Sequence, residues 1–291
     1  MSFLKYLAAC GLLVSVNLSA QHLRIATWNM EHLAEKNGAG CKPRSTQDYK
    51  ELADFAKSTE VDVFAVQEVE NEAALARVFP KNEYDLIVSD RAVNTYSCRG
   101  KGQKSTPQRV GFAIKKSVNY HYDEAMNLPE LALKGESLRY GMAIQLPDLN
   151  TSLLSVHLKS GCFSNPLTSG KRGCDQLAQQ LPLVRDWIQD QSKTNEVMVV
   201  GDFNRRLANP DDFTLDYLST AQPLYNASQD LLGCHPKYSA PIDHLLLSHN
   251  LVDQLEYPTA KNHTYSGSAM VSEPASAMLA DHCPVSVSFK F

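Results

Sequence analysis

Short apolar runs that end in polar side chains recur along this chain. The longest is Glu196-Val197-Met198-Val199-Val200-Gly201-Asp202-Phe203-Asn204, apolar and mostly β-branched up to its glycine. Such a run reads as a buried strand. Asp202 and Asn204 follow two apart, a spacing that in extended backbone points both side chains to one face. An Asx-type turn closing the strand is the plain alternative. The same habit appears at Leu23 to Trp28, delivering Asn29, and at Val61 to Val66, ending in Gln67-Glu68. Strands are also expected at Tyr84 to Val88, Val110 to Ile114, Arg139 to Ile144, Leu153 to Leu158, Ile242 to Leu247 and Val285 to Phe289.

Helical spacing is rarer. Leu52, Phe55 and Ala56 predict a helix over Asp48 to Lys57. A short one runs from Glu72 to Phe79 and stops at Pro80. Leu177, Leu181, Val184 and Ile188 stripe Asp175 to Gln189, where Pro182 marks a kink or a late start. Asp211 to Leu218 is a last short helix. Strands outnumber helices, and no low-complexity linker or tandem repeat divides the 291 residues. One domain of two packed sheets with helices outside them is the expected architecture.

The first 20 residues stand apart. Lys5, the apolar run Leu7 to Val16 and the exit Leu18-Ser19-Ala20 form a secretory signal pattern, too short to span a membrane. Leu7-Ala8-Ala9-Cys10 also resembles a lipoprotein cleavage box. Removing the leader takes Lys5 from the 28 basic residues, leaving 27 against 32 acidic, a net of −5. That excludes a uniformly basic coat but leaves room for a local basic face. Six cysteines remain: Cys41, Cys98, Cys162, Cys174, Cys234 and Cys283. An even number in an exported chain predicts disulfides. Cys162 and Cys174 bracket one loop and are the expected local pair; the other pairings stay open. The destination is secreted or periplasmic.

Chemistry gathers at the strand ends. Asn29, Glu68, Asp202 with Asn204, and Asp281 with His282 sit there, joined by His157 and Asp243. Carboxylates and amides are hard oxygen donors, suited to Mg²⁺, Mn²⁺ or Ca²⁺ rather than zinc. Histidines beside carboxylates move protons near neutral pH. Oxygen-bound metal with an oriented histidine is apparatus for phosphoester hydrolysis. Arg99, Lys101, Lys104, Lys159, Lys171, Arg172, Arg205 and Arg206 lie on loops leaving these strands, where they could form a positive rim for a phosphodiester backbone. His244 reads as structural. His22, His32, His121, His235, His249 and His263 lack flanking chemistry, and Trp28 and Trp187 read as core.

Thr27-Trp28-Asn29-Met30, Val66-Gln67-Glu68-Val69, Ser155-Val156-His157-Leu158-Lys159, Gly201-Asp202-Phe203-Asn204-Arg205, Ile242-Asp243-His244 and Ala280-Asp281-His282-Cys283-Pro284 occur in this order. Together they resemble the endonuclease/exonuclease/phosphatase superfamily, which includes deoxyribonuclease I and exonuclease III, over about residues 23 to 290. The resemblance implies a four-layer α/β sandwich, two mixed sheets face to face with helices outside. It implies Glu68 as principal metal ligand with Asn29 and Asp281 nearby. Asp202 would orient or activate water, and Asn204 would help hold phosphate. His157 and His282 would bind the scissile phosphate or act as acid and base, with Asp243 orienting His282. Arg139, and with it Lys171, Arg172 and Arg205, would contact substrate phosphate.

The expected function is an exported, Mg²⁺- (or Mn²⁺/Ca²⁺-) dependent endonuclease acting on DNA, with RNA a further substrate. It should work as a monomer, without a membrane span or a stable protein partner. Three readings compete. A phosphomonoesterase of the inositol-polyphosphate type shares Gly201-Asp202-Phe203-Asn204-Arg205-Arg206-Leu207, but carries Cys-Asp-Arg where this chain has Ile242-Asp243-His244. A sphingomyelinase-type hydrolase needs an exposed aromatic membrane element. A non-catalytic binding protein or toxin subunit would have lost a metal or histidine position, and none is missing.

Overall fold

The computed structural model describes residues 21–91, 95–100, 102–236, 240–257, 260–265 and 278–291. The expected leader, and Lys101 of the basic rim, lie outside these. Two mixed sheets carry the fold. The first contains β1 (His22–Leu33), β2 (Val63–Val69), β3 (Tyr84–Val88), β4 (Arg109–Lys115), β10 (Lys261–Asn262) and β11 (Val285–Lys290), in the order β10-β11-β1-β2-β4-β3. The second contains β5 (Met142–Leu146), β6 (Thr151–His157), β7 (Glu196–Asp202), β8 (Leu224–Asn226) and β9 (Asp243–Ser248), in the order β5-β6-β7-β9-β8. In each sheet one central pair is parallel, β1 with β2 and β6 with β7; the other neighbours are antiparallel.

The apolar runs explain the layering. Alternate residues of the central strands, such as Ile25, Val63, Phe112, Leu153, Val200 and Leu245, meet in a core between the sheets. The opposite faces are covered too. Trp28, Phe64 and Val66 pack under α1 (Thr46–Ser58), together with Leu75 of α2 (Glu72–Leu75). Val156, Val197 and Val199 pack under α3 (Arg172–Gln191) and α4 (Thr214–Ser219). Strands buried on both faces are apolar at nearly every position, which is why they read as continuous runs. The order helix, sheet, sheet, helix is the expected four-layer sandwich. Trp28 and Trp187 are core residues.

The elements differ from expectation at their ends. Helix α1 starts two residues early because Ser45 and Asp48 close a capping box: Asp48 N–H donates to Ser45 Oγ and Ser45 N–H to Asp48 Oδ2. Helix α2 stops at Leu75, and residues 76–79 continue as tight turns, with Arg77 N–H donating to Ala74 O. Pro182 sits in mid-helix rather than at a late start. The strand expected from Arg139 begins only at Met142, because Arg139 is drawn off to donate from Nη2 to Leu158 O at 2.7 Å. Strands β8 and β10, three and two residues long, are too short for any periodic pattern. Three cysteine pairs lie at disulfide distance: Cys41–Cys98, the expected Cys162–Cys174, and Cys234–Cys283. Such a set fits an oxidising compartment. Among the described residues, no helix is long and apolar enough to cross a membrane.

Candidate active site

The strand ends of the two sheets meet over one cleft of about 770 Å³. In the five-stranded sheet, register sets a row across three strands: His157 of β6 lies beside Asp202 of β7, which lies beside Asp243 of β9. Gly201 makes that row possible. It has φ +150°, and a Cβ there would stand 2.0 Å from Val156 O, so no other residue fits. The chain then turns rather than staying extended. Asn204 takes φ +52°, and its N–H donates to Asp202 Oδ1 at 2.8 Å. Asp202 and Asn204 therefore share the cleft through an Asx turn, not through strand alternation.

In the six-stranded sheet, irregular backbone aims the side chains. The β1–β2 register shifts between Asn29 and Leu33, and the β2–β4 register between Val66 and Val69. Glu31, His32 and Glu68 all have positive φ at these breaks. Strained backbone of this kind re-aims side chains at functional sites. Glu68 accepts from His32 N–H at 3.1 Å and from Asn29 Nδ2 at 3.4 Å. Asn29 Nδ2 also donates to Asp202 Oδ2 at 3.1 Å, tying the two sheets together. Just below, Gln67 Nε2 donates to Ser155 Oγ at 3.3 Å, a second tie through the buried interface.

His282 bridges the halves. It precedes β11, yet its Nδ1 lies 2.7 Å from Asp243 Oδ2, while its Nε2 lies 4.0 Å from Asp202 and 3.9 Å from Asp281. Burial opposes charge on this ring, but the Asp243 carboxylate and its hydrogen bond, with Asp202 and Asp281 behind them, hold it well above the ordinary imidazole value. His157 behaves oppositely: burial, then the charges of Arg139 and His282, push it well below. Its Nε2 lies 3.4 Å from Asp202 Oδ2 and 3.9 Å from Glu68 Oε1. Asp202 is pushed up to about 7, chiefly by burial, with Asp243 adding and His282 opposing.

Two groups of side chains in the cleft offer ligands for a divalent cation. Glu31, Glu68 and Asp281 crowd one wall. Asp281 is raised by desolvation first, with Glu68 and Asp243 adding and His282 opposing. Glu31 is raised by burial and then by Asp281, with Lys42 opposing at 3.1 Å. The repulsion between Asp281 and its carboxylate neighbours is what a bound cation would relieve. Ligand atoms of Asp202, Asp243 and His282 also fall within 4.8 Å of one another. His282 Nδ1 is already hydrogen-bonded to Asp243 at 2.7 Å, whereas Glu31, Glu68 and Asp281 offer oxygen donors alone, the donor set that suits a hard cation.

Among the residues expected to contact phosphate, Arg139 lines the cleft. Lys171, Arg172 and Arg205 do not. Arg205 follows the left-handed Asn204 and turns inward: its Nη1 donates to Cys162 O and Asn165 O, each at 2.6 Å, and its Nε pairs with Asp212. Lys171 reaches Asn165 at 2.8 Å, and Arg172 pairs with Glu136 at 2.7 Å beside Lys159, in a separate shallow depression. Among the described residues, Arg99 and Arg206 are the rim cations that line the cleft. His244 is structural, buried between Ser228 Oγ and Arg205 O.

Sequence reading missed Glu31 and His32. Glu31 accepts from Asp281 N–H at 3.0 Å, and its spacing of two from Asn29 was the available signal. His32 was expected at the surface or in packing. It lines the cleft instead, with Nε2 3.7 Å from Glu68 Oε2 and 3.2 Å from Tyr96 Oη. Only the left-handed backbone brings it there, so nothing in the local pattern marks it.

The fold is a two-sheet α/β sandwich with one cleft where the strand ends of both sheets meet. The sequence profile of the Endonuclease/Exonuclease/phosphatase family matches residues 26–257, so the chain belongs to that family. No curated protein matches the sequence significantly. Among solved structures, the chain is similar to the 3′ phosphatase NExo from Neisseria bound to product DNA hairpin, with TM-score 0.60, 13% identity, and coverage of 92% of this chain and 100% of that one. It is also similar to TDP2 from Caenorhabditis elegans (TM-score 0.59, 16% identity, coverage 92% and 74%). An endonuclease/exonuclease/phosphatase from Bacteroides vulgatus gives TM-score 0.57 at 14% identity, with coverage 92% and 98%. At these identities the likeness speaks for the fold.

Proposed function

We propose that the chain is an exported, divalent-metal-dependent nuclease that hydrolyses phosphodiester bonds of DNA, with RNA as a further substrate, by internal cleavage. Residues 21–291 form its single catalytic domain. The observation that carries this reading is the continuous row His157, Asp202, Asp243, His282, facing Asn29 and Glu68 across one open cleft. Export is supported by the leader pattern and the three cysteine pairs.

Glu68 and Asp281, with Asn29 beside them, would hold Mg²⁺, Mn²⁺ or Ca²⁺, which when bound stabilises charge on the phosphate and leaving oxygens. The remaining roles belong to the protein. Asp202, poised near neutrality, orients the attacking water and takes its proton. His282, kept charged and fixed by Asp243, donates from Nε2 to a phosphate oxygen and opposes the charge that builds there. His157, neutral and buried, holds a second oxygen. Arg139 adds a fixed positive charge, anchored by its bond to Leu158 O. Asn204 spends one amide hydrogen on the same carbonyl and has another for phosphate.

The test is hydrolysis of closed circular DNA, RNA, inositol phosphates and sphingomyelin, with each metal or with chelator. Cleavage of closed circular DNA, abolished by chelator, is the expected result. Turnover of a phosphomonoester or of sphingomyelin, with none of nucleic acid, would move the assignment to another branch of the family.

A further inference from the structure

Among the described residues, six large apolar side chains are exposed: Tyr96, Phe163, Phe213, Leu232, Tyr257 and Phe291. Three of them, Tyr96 (48% exposed), Phe163 (38%) and Leu232 (61%), line the catalytic cleft. Exposed aromatics concentrated at a site mark a contact surface.

The two rings sit on similar mounts. Tyr96 lies two residues before Cys98, which pairs with Cys41. Phe163 directly follows Cys162, which pairs with Cys174. Each loop is thus stapled next to its ring. Each is also tied to site residues. Tyr96 Oη lies 3.2 Å from His32 Nε2, which is itself 3.7 Å from Glu68. Phe163 O accepts from Arg206 N–H at 3.0 Å, two residues after Asn204. Finally, each loop brings a cleft-lining arginine close to its ring along the chain or by a backbone bond: Arg99 three residues after Tyr96, and Arg206, whose N–H holds Phe163 O.

A half-exposed ring, held rigidly beside a cation, at the rim of a phosphate-cleaving cleft, offers a flat face to a base and a charge to its phosphate. Rigid mounting means little ordering cost is incurred on binding. Bases inside a duplex have their faces covered by neighbours, so such platforms favour unpaired strands.

We propose that Tyr96 and Phe163 are two stacking platforms for unpaired nucleobases of the strand whose phosphate occupies the cleft. This makes single-stranded nucleic acid the preferred substrate, and it rests on the nuclease reading above.

The test compares KM for a single-stranded deoxyoligonucleotide with KM for a strand of equal length whose nucleotides are abasic. The wild type should favour the base-bearing strand by at least about fivefold, the low end for one base stack. Phe163→Ala and Tyr96→Ala should each move that ratio toward one. Phe163→Trp and Tyr96→Phe should retain it, the latter separating the ring from its hydroxyl tie to His32. A 2-aminopurine base in a non-hydrolysable strand should be quenched on binding to the wild type and less so in the alanine variants, a signal that mere loop packing would not give. Equal KM for both strands in the wild type would overturn the platforms and leave the nuclease reading standing. Cleavage of closed circular DNA with none of either single strand would overturn the single-strand preference and leave the nuclease reading standing; failure to cleave all three would sink the nuclease reading itself. Loss of binding to sphingomyelin vesicles in Phe163→Ala, with the oligonucleotide ratio unmoved, would assign the rings to lipid and overturn the proposal.

Discussion

The two sheets contribute unlike halves of the site. From the six-stranded sheet and its loops come Asn29, Glu68 and Asp281; from the five-stranded sheet come His157, Asp202, Asn204 and Asp243. The first half is wetter at its rim: the side chains of Glu68 and Asp281 are 16% and 50% exposed, although Asn29 behind them is 2% exposed. The second is dry: those of His157 and Asp202 are 4% and 2% exposed. In the second, burial displaces proton affinities, with Asp202 pushed up and His157 down. On the proposed reading, the division would separate a seat for an exchangeable cation from a fixed apparatus for moving protons. His282 joins them through Asp243 on one side and Asp281 on the other, beside the Asn29–Asp202 hydrogen bond.

The largest expected effect tests the wet half. Prolonged chelation should abolish hydrolysis, and Glu68→Gln should weaken metal binding while circular dichroism and the thermal midpoint stay close to wild type. Activity that survives with no bound metal detectable would erase the distinction between the halves.

Next comes the bridge. His282→Ala should cut turnover by at least about 100-fold, as expected for a positioned acid or base. Asp243→Asn should cut it as well, by releasing the ring. The double variant should be far less than multiplicatively worse, because the pair acts as a unit. Initial rates normalised to folded protein decide this, and fully multiplicative losses would break the pairing.

A smaller effect separates cleft from periphery. Replacing Lys171 and Arg172 together should change kcat/KM by less than about threefold, since surface pairs such as Arg172–Glu136 contribute little. Arg206→Ala should instead lower the slope of log affinity against log salt by about 0.7 to 0.9, one phosphate contact. The reverse ranking in a salt titration would put the strand's path over the N-terminus of α3.

A separate effect concerns stability rather than turnover. Burial lowers His244, on the five-stranded sheet, to about 4. It also lowers His263, beside the six-stranded sheet, to about 4, helped by Lys261 and Arg24. An unfolded histidine protonates near 6.5. Above that pH the stability linked to these rings is fully present; it is lost as pH falls from 6.5 toward 4, where the unfolded chain binds the extra protons. Asp202 works in the opposite sense, its raised folded value favouring the folded state as pH falls. His263→Gln should therefore lessen the fall in urea-unfolding stability between pH 7 and pH 4 by about 2 to 3 kcal/mol. An unchanged difference would show that this ring is accommodated when charged.

Much of this was written locally. Apolar runs fixed where the strands are, because a strand covered on both faces can hold few polar residues. The polar residues that end those runs fixed which side chains emerge at one edge of the sandwich. The Cys162–Cys174 pair was legible because a short loop keeps its ends together. Arg205 was misleading for a local reason: the next residue in a basic loop looks like rim, and only the left-handed turn at Asn204 sends it inward to Asp212.

By itself, then, the sequence determined the layers and the set of candidate chemical groups, since hydrophobic period and strand-end polarity are properties of neighbouring residues. The tertiary structure decided the partnerships. Asp243 meets His282 across 39 positions and Asn29 meets Asp202 across 173. Glu31, His32 and Tyr96 enter the cleft only because sheet register breaks beside Asn29 and Glu68 and a cysteine pair draws a distant loop over them. Contacts of that kind depend on how two sheets face each other, and no short stretch of chain encodes that.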